Sequence, residues 1–390
     1  MPQQPDDKRF QTGGVLTVST GHAVHDTYSG FLAPLLPIFI NTLSLTKTDA
    51  SLLMLFRQAP SVFQPVIGHL ADRLNLRILV ILGPAITGIA MSLLGISPGY
   101  ALLVALLVIA GSSSAAFHAV GPAMAGSLSG PNLGRGMGIW MLAGELGRTL
   151  GPILVVSVIG LYTMTGITWL APCGIVCSII LYIRLKKVAG QGRNRSQALP
   201  WKSALKRMAP VLKPLSGIVF VRSFMLAALT PFLPTFLNEE GASLWLAGAS
   251  LSVLEGSGVA GALLGGWVSD RLGRKTVLGF SMLMTPVTTF VFLSVQGRVL
   301  FPVLIVLGIT ALSTGPVVMA IVQESCPENR AFANGFYMGA SFGLRGVATL
   351  LLGIMADAYG LRQAFSISAV LMVLGLGMVF KLPGQNRETD

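Results

Sequence analysis

Gly266-Trp267-Val268-Ser269-Asp270-Arg271-Leu272-Gly273-Arg274-Lys275 ends one apolar stretch and begins the next. Gly68-His69-Leu70-Ala71-Asp72-Arg73-Leu74-Asn75-Leu76-Arg77 does the same 198 residues earlier. Two further pairs fall at nearly that offset. Pro34-Leu35-Leu36-Pro37-Ile38-Phe39 is answered by Pro231-Phe232-Leu233-Pro234-Thr235-Phe236 at 197, and Gly121-Pro122 by Gly315-Pro316 at 194. Three matches in the same order at one spacing make the chain a duplication. Its halves are residues 1–186 and 212–390, joined by a basic stretch over 187–211.

Each half is too apolar to cover itself with polar surface in water. Hydrophobic residues make up 53% of the 390 positions and charged residues 11%, against roughly 25% charged in soluble domains. The apolar runs are about 18–25 residues long, the length that crosses a roughly 30 Å hydrocarbon core. Forty-six glycines and 22 prolines suit membrane helices, which tolerate both and use glycine for close packing. Twelve spans are predicted, near 15–41, 48–72, 78–97, 100–127, 135–159, 164–186, 212–238, 245–269, 276–295, 299–324, 330–357 and 361–382. The fold class is therefore an all-α integral membrane protein of two pseudo-symmetric six-helix bundles. Parallel repeats of this kind place a substrate cavity between them near the midplane.

The net charge of +12 does not point to nucleic acid once its distribution is followed. On these spans, 20 of the 27 Lys and Arg fall on one side, nine of them between Arg184 and Lys213. Only Lys47, Arg298 and Arg362 fall on the other, and Arg57, Arg148, Arg222 and Arg345 lie within spans. By the positive-inside rule both termini and the central linker are cytoplasmic, in a multi-pass protein of the cell inner membrane. The polar N-terminus is followed by no small-residue cleavage site, so a removable signal peptide is not expected. In the linker, Trp201, Leu205, Met208 and Leu212 recur at helical spacing among Lys202, Lys206, Arg207 and Lys213. That pattern predicts an amphipathic helix suited to an anionic leaflet. Cys173 and Cys177, on an apolar span, read as buried thiols acting as small hydrophobes.

The two signatures around Asp72-Arg73 and Asp270-Arg271 resemble the motif between helices 2 and 3, and 8 and 9, of the major facilitator superfamily. Length, span count, duplicated halves and the basic linker extend the resemblance along the whole chain. It implies a cytoplasmic gate formed by Gly68, Asp72 and Arg73 and by Gly266, Asp270, Arg271 and Arg274. The first copy departs at Asn75, where glycine is usual. In the fifth span, Gly138, Gly147 and Gly151-Pro152 are similar to the pattern of proton-coupled drug antiporters, although Val155 and Val156 replace its final glycine pair. Within the superfamily the chain resembles fosmidomycin-resistance-type transporters. The carriers are Gly21-His22 to His25-Asp26, Gln64-Pro65-Val66-Ile67-Gly68, Gly111 to Phe117-His118, and Gly147 to Pro152. Ala119 and Val120 depart from that group.

An ionisable side chain at mid-bilayer costs at least about 2.5–3.5 kcal/mol, so each one is a functional candidate. Away from the span ends these are His22, His25, Asp26, Arg57, His118, Glu145, Arg148, Arg222, Glu255 and Arg345. They avoid the third, sixth, ninth and twelfth spans, which the family resemblance makes peripheral. His22 and Asp26 are four apart and share a helix face. Arg57, Ser61 and Gln64 form one polar stripe, and Tyr337, Ser341 and Arg345 another. By the repeat offset Arg57 corresponds to Glu255, and His25 to Arg222. A carboxylate in low dielectric can load and release a proton as its surroundings change. Asp26 and Glu255 are the leading proton carriers, with Glu145 as a further acid and His22, His25 and His118 as relays. Arg57, Arg222 and Arg345, with Gln64, Tyr337 and Ser341, are candidates for holding an anionic group on a substrate. The competing reading is that Glu145–Arg148 and Arg57–Glu255 are structural ion pairs.

The function expected is proton-coupled efflux of a small anionic or amphipathic organic compound by alternating access. An organic-anion importer, or a lysolipid or lipid flippase on the same fold, is the alternative. The chain is expected to work as a monomer, with the proton gradient in place of a cofactor, no metal and no nucleic acid. An enzyme is not expected, because HExxH, G-x-S-x-G and any His/Asp cluster at metal spacing are missing from the sequence.

Overall fold

The computed structural model describes residues 10–71, 76–130, 132–185, 201–326 and 330–383. Those residues are helical almost throughout, and no strand occurs among them. Ten of the helical stretches are long and apolar enough to cross a membrane, from Arg77–Ile96 through Leu361–Phe380. The first two predicted spans are also helical, but each is interrupted. The first is α1 (Thr12–Ser29) followed by α2 (Leu32–Thr42), and the second is α3 (Lys47–Gln58), a 3₁₀ segment (Ala59–Phe63) and α4 (Gln64–Ala71). Pro60 opens that 3₁₀ segment, where its missing N–H breaks the α ladder.

The remaining helices follow the predicted order: α5 (Arg77–Leu93), α6 (Tyr100–Leu128), α7 (Leu133–Tyr162) and α8 (Ala171–Leu185). In the second half come α9 (Trp201–Leu229), α10 (Leu233–Glu239), α11 (Leu244–Leu272), α12 (Arg274–Ser294), α13 (Leu300–Leu312), α14 (Thr314–Ser325), α15 (Arg330–Tyr359), α16 (Leu361–Leu374) and α17 (Leu376–Phe380). The repeat is visible in the breaks themselves. Helix α1 yields to α2 just before Pro34, and α9 yields to α10 between Pro231 and Pro234. Proline suits the first turn of the new helix because the N–H it lacks would be unsatisfied there.

Two sequence expectations are corrected here. The basic amphipathic segment is helical, but it runs without a stop into the seventh span as the start of α9. Of its predicted apolar face, Met208 is fully buried and Leu205 and Leu212 are partly buried. Cys177 is buried as expected, whereas Cys173, one helical turn away, is exposed.

By contact the chain forms two compact units, residues 1–32 with 56–194, and residues 33–55 with 195–390. In the first unit α1 lies along α7 at glycine distance. A Cβ on Gly147 would strike the Ala23 carbonyl, one on Gly151 the Thr27 carbonyl, and one on Gly144 the His22 ring. At Gly147 and Gly151, on successive turns of α7, only hydrogen thus separates the two backbones, and at Gly144 the His22 ring takes the space. Gly138, the first glycine of the predicted pattern, has nothing within 4 Å and takes no part in the seam.

In the second unit, α11 and α13 meet the same way, Gly261 lying on the Ile309 carbonyl and Gly308 on the Leu254 carbonyl. The segment 33–55 is tied in by charge. Asp357 accepts hydrogen bonds from the N–H groups of Lys47 and Thr48 and from the Thr48 hydroxyl, at 2.7, 2.9 and 2.6 Å. It serves as an N-cap for α3 donated by α15. The Lys47 ammonium then reaches Glu239 at 2.7 Å.

Candidate functional site

Helix α1 carries His22, His25 and Asp26, and its glycine-tight seam with α7 sets them against Trp140, Glu145 and Arg148. Helix α6 brings Phe117 and His118 from the other side. Asp26 is 2% exposed, and four cationic or titratable groups converge on it. His22 Nε2 and His118 Nε2 each lie 3.4 Å from its carboxylate, and Arg148 Nη1 lies 3.1 Å away. Arg148 also pairs with Glu145 one turn back on its own helix. Arg57 lies within electrostatic reach of both Asp26 and Arg148.

The rings are held by stacking. His22 lies on Trp140 with centroids 4.0 Å apart, and His25 lies flat on Phe117 at 4.4 Å and 6°. Hydrogen bonds then decide the tautomers. His22 Nδ1 is 2.8 Å from the Trp140 carbonyl and His118 Nδ1 is 2.9 Å from the Ser114 carbonyl. A carbonyl only accepts, so each Nδ1 carries hydrogen and each Nε2 of a neutral ring presents a lone pair. Those two Nε2 atoms are 3.2 Å apart. With Asp26 ionised and both rings neutral, three acceptors would face one another with no hydrogen between them. One proton on either Nε2 turns that repulsion into a charge-assisted hydrogen bond.

The sequence reading found no His/Asp cluster at metal spacing, and the fold corrects it. His22, Asp26 and His118 offer ligand atoms within 4.8 Å of one another. No local motif announces this, because His118 comes from another helix. The Arg148 guanidinium, 3.1 Å from the carboxylate, opposes a divalent cation there.

Of the other residues predicted for a site, Gln64 begins α4 and is half-buried. In the second unit Arg222 is 6% exposed on α9, against Tyr337 and close to Arg345, both on α15. Tyr337 and Ser341 also line a narrow crevice against Leu215 and Val219 of α9. Glu255 is buried on α11.

Of the gate residues, Asp72 and Arg73 lie outside the described residues, and nothing is described around Gly68 beyond its place in α4. In the second copy Gly273 takes φ +94°, a conformation that favours glycine, between α11 and α12. Arg274 pairs there with Asp270 at 2.5 Å and with Glu324 of α14 at 2.9 Å. Arg271 stacks on Trp267 with its guanidinium 3.7 Å from the ring centroid. Sequence reasoning missed Trp140, Phe117, Glu324 and Asp357. Only Phe117 had a signal, as the residue before His118 in the quoted stretch.

A family profile described as the Major Facilitator Superfamily matches residues 18–345. The fosmidomycin resistance protein of Escherichia coli K12 is 26% identical, the alignment covering 97% of this chain and 94% of that protein. An uncharacterised MFS-type transporter of Bacillus subtilis 168, YfnC, is 24% identical over 96% and 93%. Among solved structures, a bacterial homologue of the human lysosomal transporter Spinster superposes with TM-score 0.81 at 15% identity, over 97% of each chain. The nucleoside transporter NupG gives 0.77 at 16%, over 95% of this chain and all of that one. With its helical membrane fold and a family match along most of its length, the chain belongs to the major facilitator superfamily, as a multi-pass secondary transporter.

Proposed function

We propose that this transporter exports a small organic compound with an anionic, phosphonate-like group in exchange for protons, by alternating access. The observation that carries the reading is the pair of Nε2 atoms 3.2 Å apart beside Asp26. A proton arriving there makes one ring an imidazolium, which competes with Arg148 for the carboxylate. Arg148 keeps Glu145 as a partner, so its hold on α1 weakens without leaving a buried cation unpaired. Loading and release of the proton thereby change the force between α1 and α7. In the second unit, Arg222 and Arg345 with the Tyr337 hydroxyl supply charge and hydrogen bonds for the anionic group. Similarity to a protein named for drug resistance favours export. The charge asymmetry favours cytoplasmic termini in the inner membrane, with the chain acting as a monomer.

The test uses proteoliposomes with an imposed pH gradient and a panel of anionic, cationic and lipid-like compounds. Asp26→Asn should abolish uphill transport and leave downhill exchange intact, while Arg222→Lys should weaken affinity and leave coupling intact. Uphill transport by Asp26→Asn would refute the proton site. Loss of both uphill transport and exchange in a monodisperse Asp26→Asn protein would make the cluster structural.

A further inference from the structure

Outside this cluster, the first unit carries an open groove of about 640 Å³ between α1 and α8. Leu16, Thr20 and Val24 line it on α1, and Cys173, Val176 and Ile180 on α8. Leu16, Val176 and Ile180 are about half exposed, so the groove is not closed over by another described helix. Its volume falls within the roughly 300–1,000 Å³ of pockets that hold small molecules. From Pro172 to Arg184 it follows α8 for about 18 Å at the helical rise. That is close to one leaflet, half of a roughly 30 Å hydrocarbon core.

The groove is apolar along this length and cationic at one end. Arg184 is exposed, lies on its rim and forms no ion pair among the described residues. It is also the first of the nine basic residues that lead into and through the linker. A small soluble anion would have no use for the apolar length, and a neutral lipid none for Arg184. We infer that the groove holds one acyl chain of a diacyl anionic phospholipid, with the phosphate on Arg184. The lipid is a bound companion of the transporter, seated away from the Asp26 cluster. On the orientation proposed above it comes from the cytoplasmic leaflet, whose anionic surface favours basic residues at headgroup depth.

The full-length protein, purified in mild detergent, would be exposed to phosphatidylglycerol or phosphatidylcholine of equal chain length and weighed intact by native mass spectrometry. Retention of phosphatidylglycerol should exceed that of phosphatidylcholine about fivefold, as about 1 kcal/mol for one basic residue at the headgroup implies. Arg184→Gln should remove the preference while some binding persists. Thr20→Trp, which fills the groove, should remove retention of both. The native Cys173 thiol supplies a readout at the far end, because bound lipid should slow its alkylation by a maleimide. Equal retention of the two lipids by the wild type would overturn the headgroup assignment. Undiminished retention in a monodisperse Thr20→Trp protein, or a Cys173 alkylation rate indifferent to lipid, would overturn the groove. None of these readouts depends on transport, so the inference can fail while the proton site stands.

Discussion

Replacing single glycines of α7 by alanine should separate the residues that build the seam from one that merely belongs to the pattern. Alanine gains about 1 kcal/mol over glycine in a helix interior. At Gly138 nothing lies within 4 Å of the added methyl, so Gly138→Ala should be neutral or stabilising by up to that amount. At Gly147 the methyl meets the Ala23 carbonyl of α1. A backbone oxygen cannot rotate aside, so the upper part of the about 1–3 kcal/mol range for overpacking applies. Net of the propensity gain, Gly147→Ala should lose about 2 kcal/mol and differ from Gly138→Ala by about 2–3 kcal/mol. Thermal unfolding of the two purified proteins should then differ by roughly 3 °C, with Gly147→Ala below wild type and Gly138→Ala at or above it. Transport should fall with stability only in Gly147→Ala. Pushing α1 outward lengthens the 2.8 Å contact of His22 with the Trp140 carbonyl, which sets the tautomer. Equal shifts of the same sign in both variants would refute the packing argument. So would a Gly147→Ala protein with wild-type transport.

Asp357→Ala should free the start of α3, a charged cap of a kind that contributes typically about 1 kcal/mol. A cysteine at Thr48 should then be alkylated faster than in the parent, and an unchanged rate would mean the segment 33–55 is held by packing alone. Arg274→Gln removes the group that joins Asp270 to Glu324, and should raise the reactivity of a cysteine placed at Ser325. Because Asp270 is largely exposed, stability should fall by less than about 1 kcal/mol, which urea or thermal titration would check. For orientation, a cysteine replacing Lys381 should react only from the cytoplasm and one replacing Gly241 only from outside. Labelling of both from one side would end the twelve-span topology.

Solvent and plan are legible along the chain itself. Apolar runs of bilayer length, charges gathered on one side and a repeat at an offset near 198 are local or additive features. A single pass along the chain reads them because a lipid bilayer imposes them one segment at a time. The same pass picked out His22, His25, Asp26 and His118 as costly charges, and Gly147 and Gly151 as members of a glycine pattern. It could not say that His22 and His118 would meet nitrogen to nitrogen. Nor could it say that Trp140 would fix one tautomer and Ser114 the other, or that Gly138 would stand outside the seam. Those outcomes depend on the register and rotation of α1 against α6 and α7, which interhelical packing sets and residue spacing within one helix does not. The tie from Asp357 to Lys47 and Thr48 spans 310 residues of chain and has no sequence signal. Only the tertiary structure decides it, because a helix N-terminus accepts any carboxylate that the fold brings within hydrogen-bonding distance.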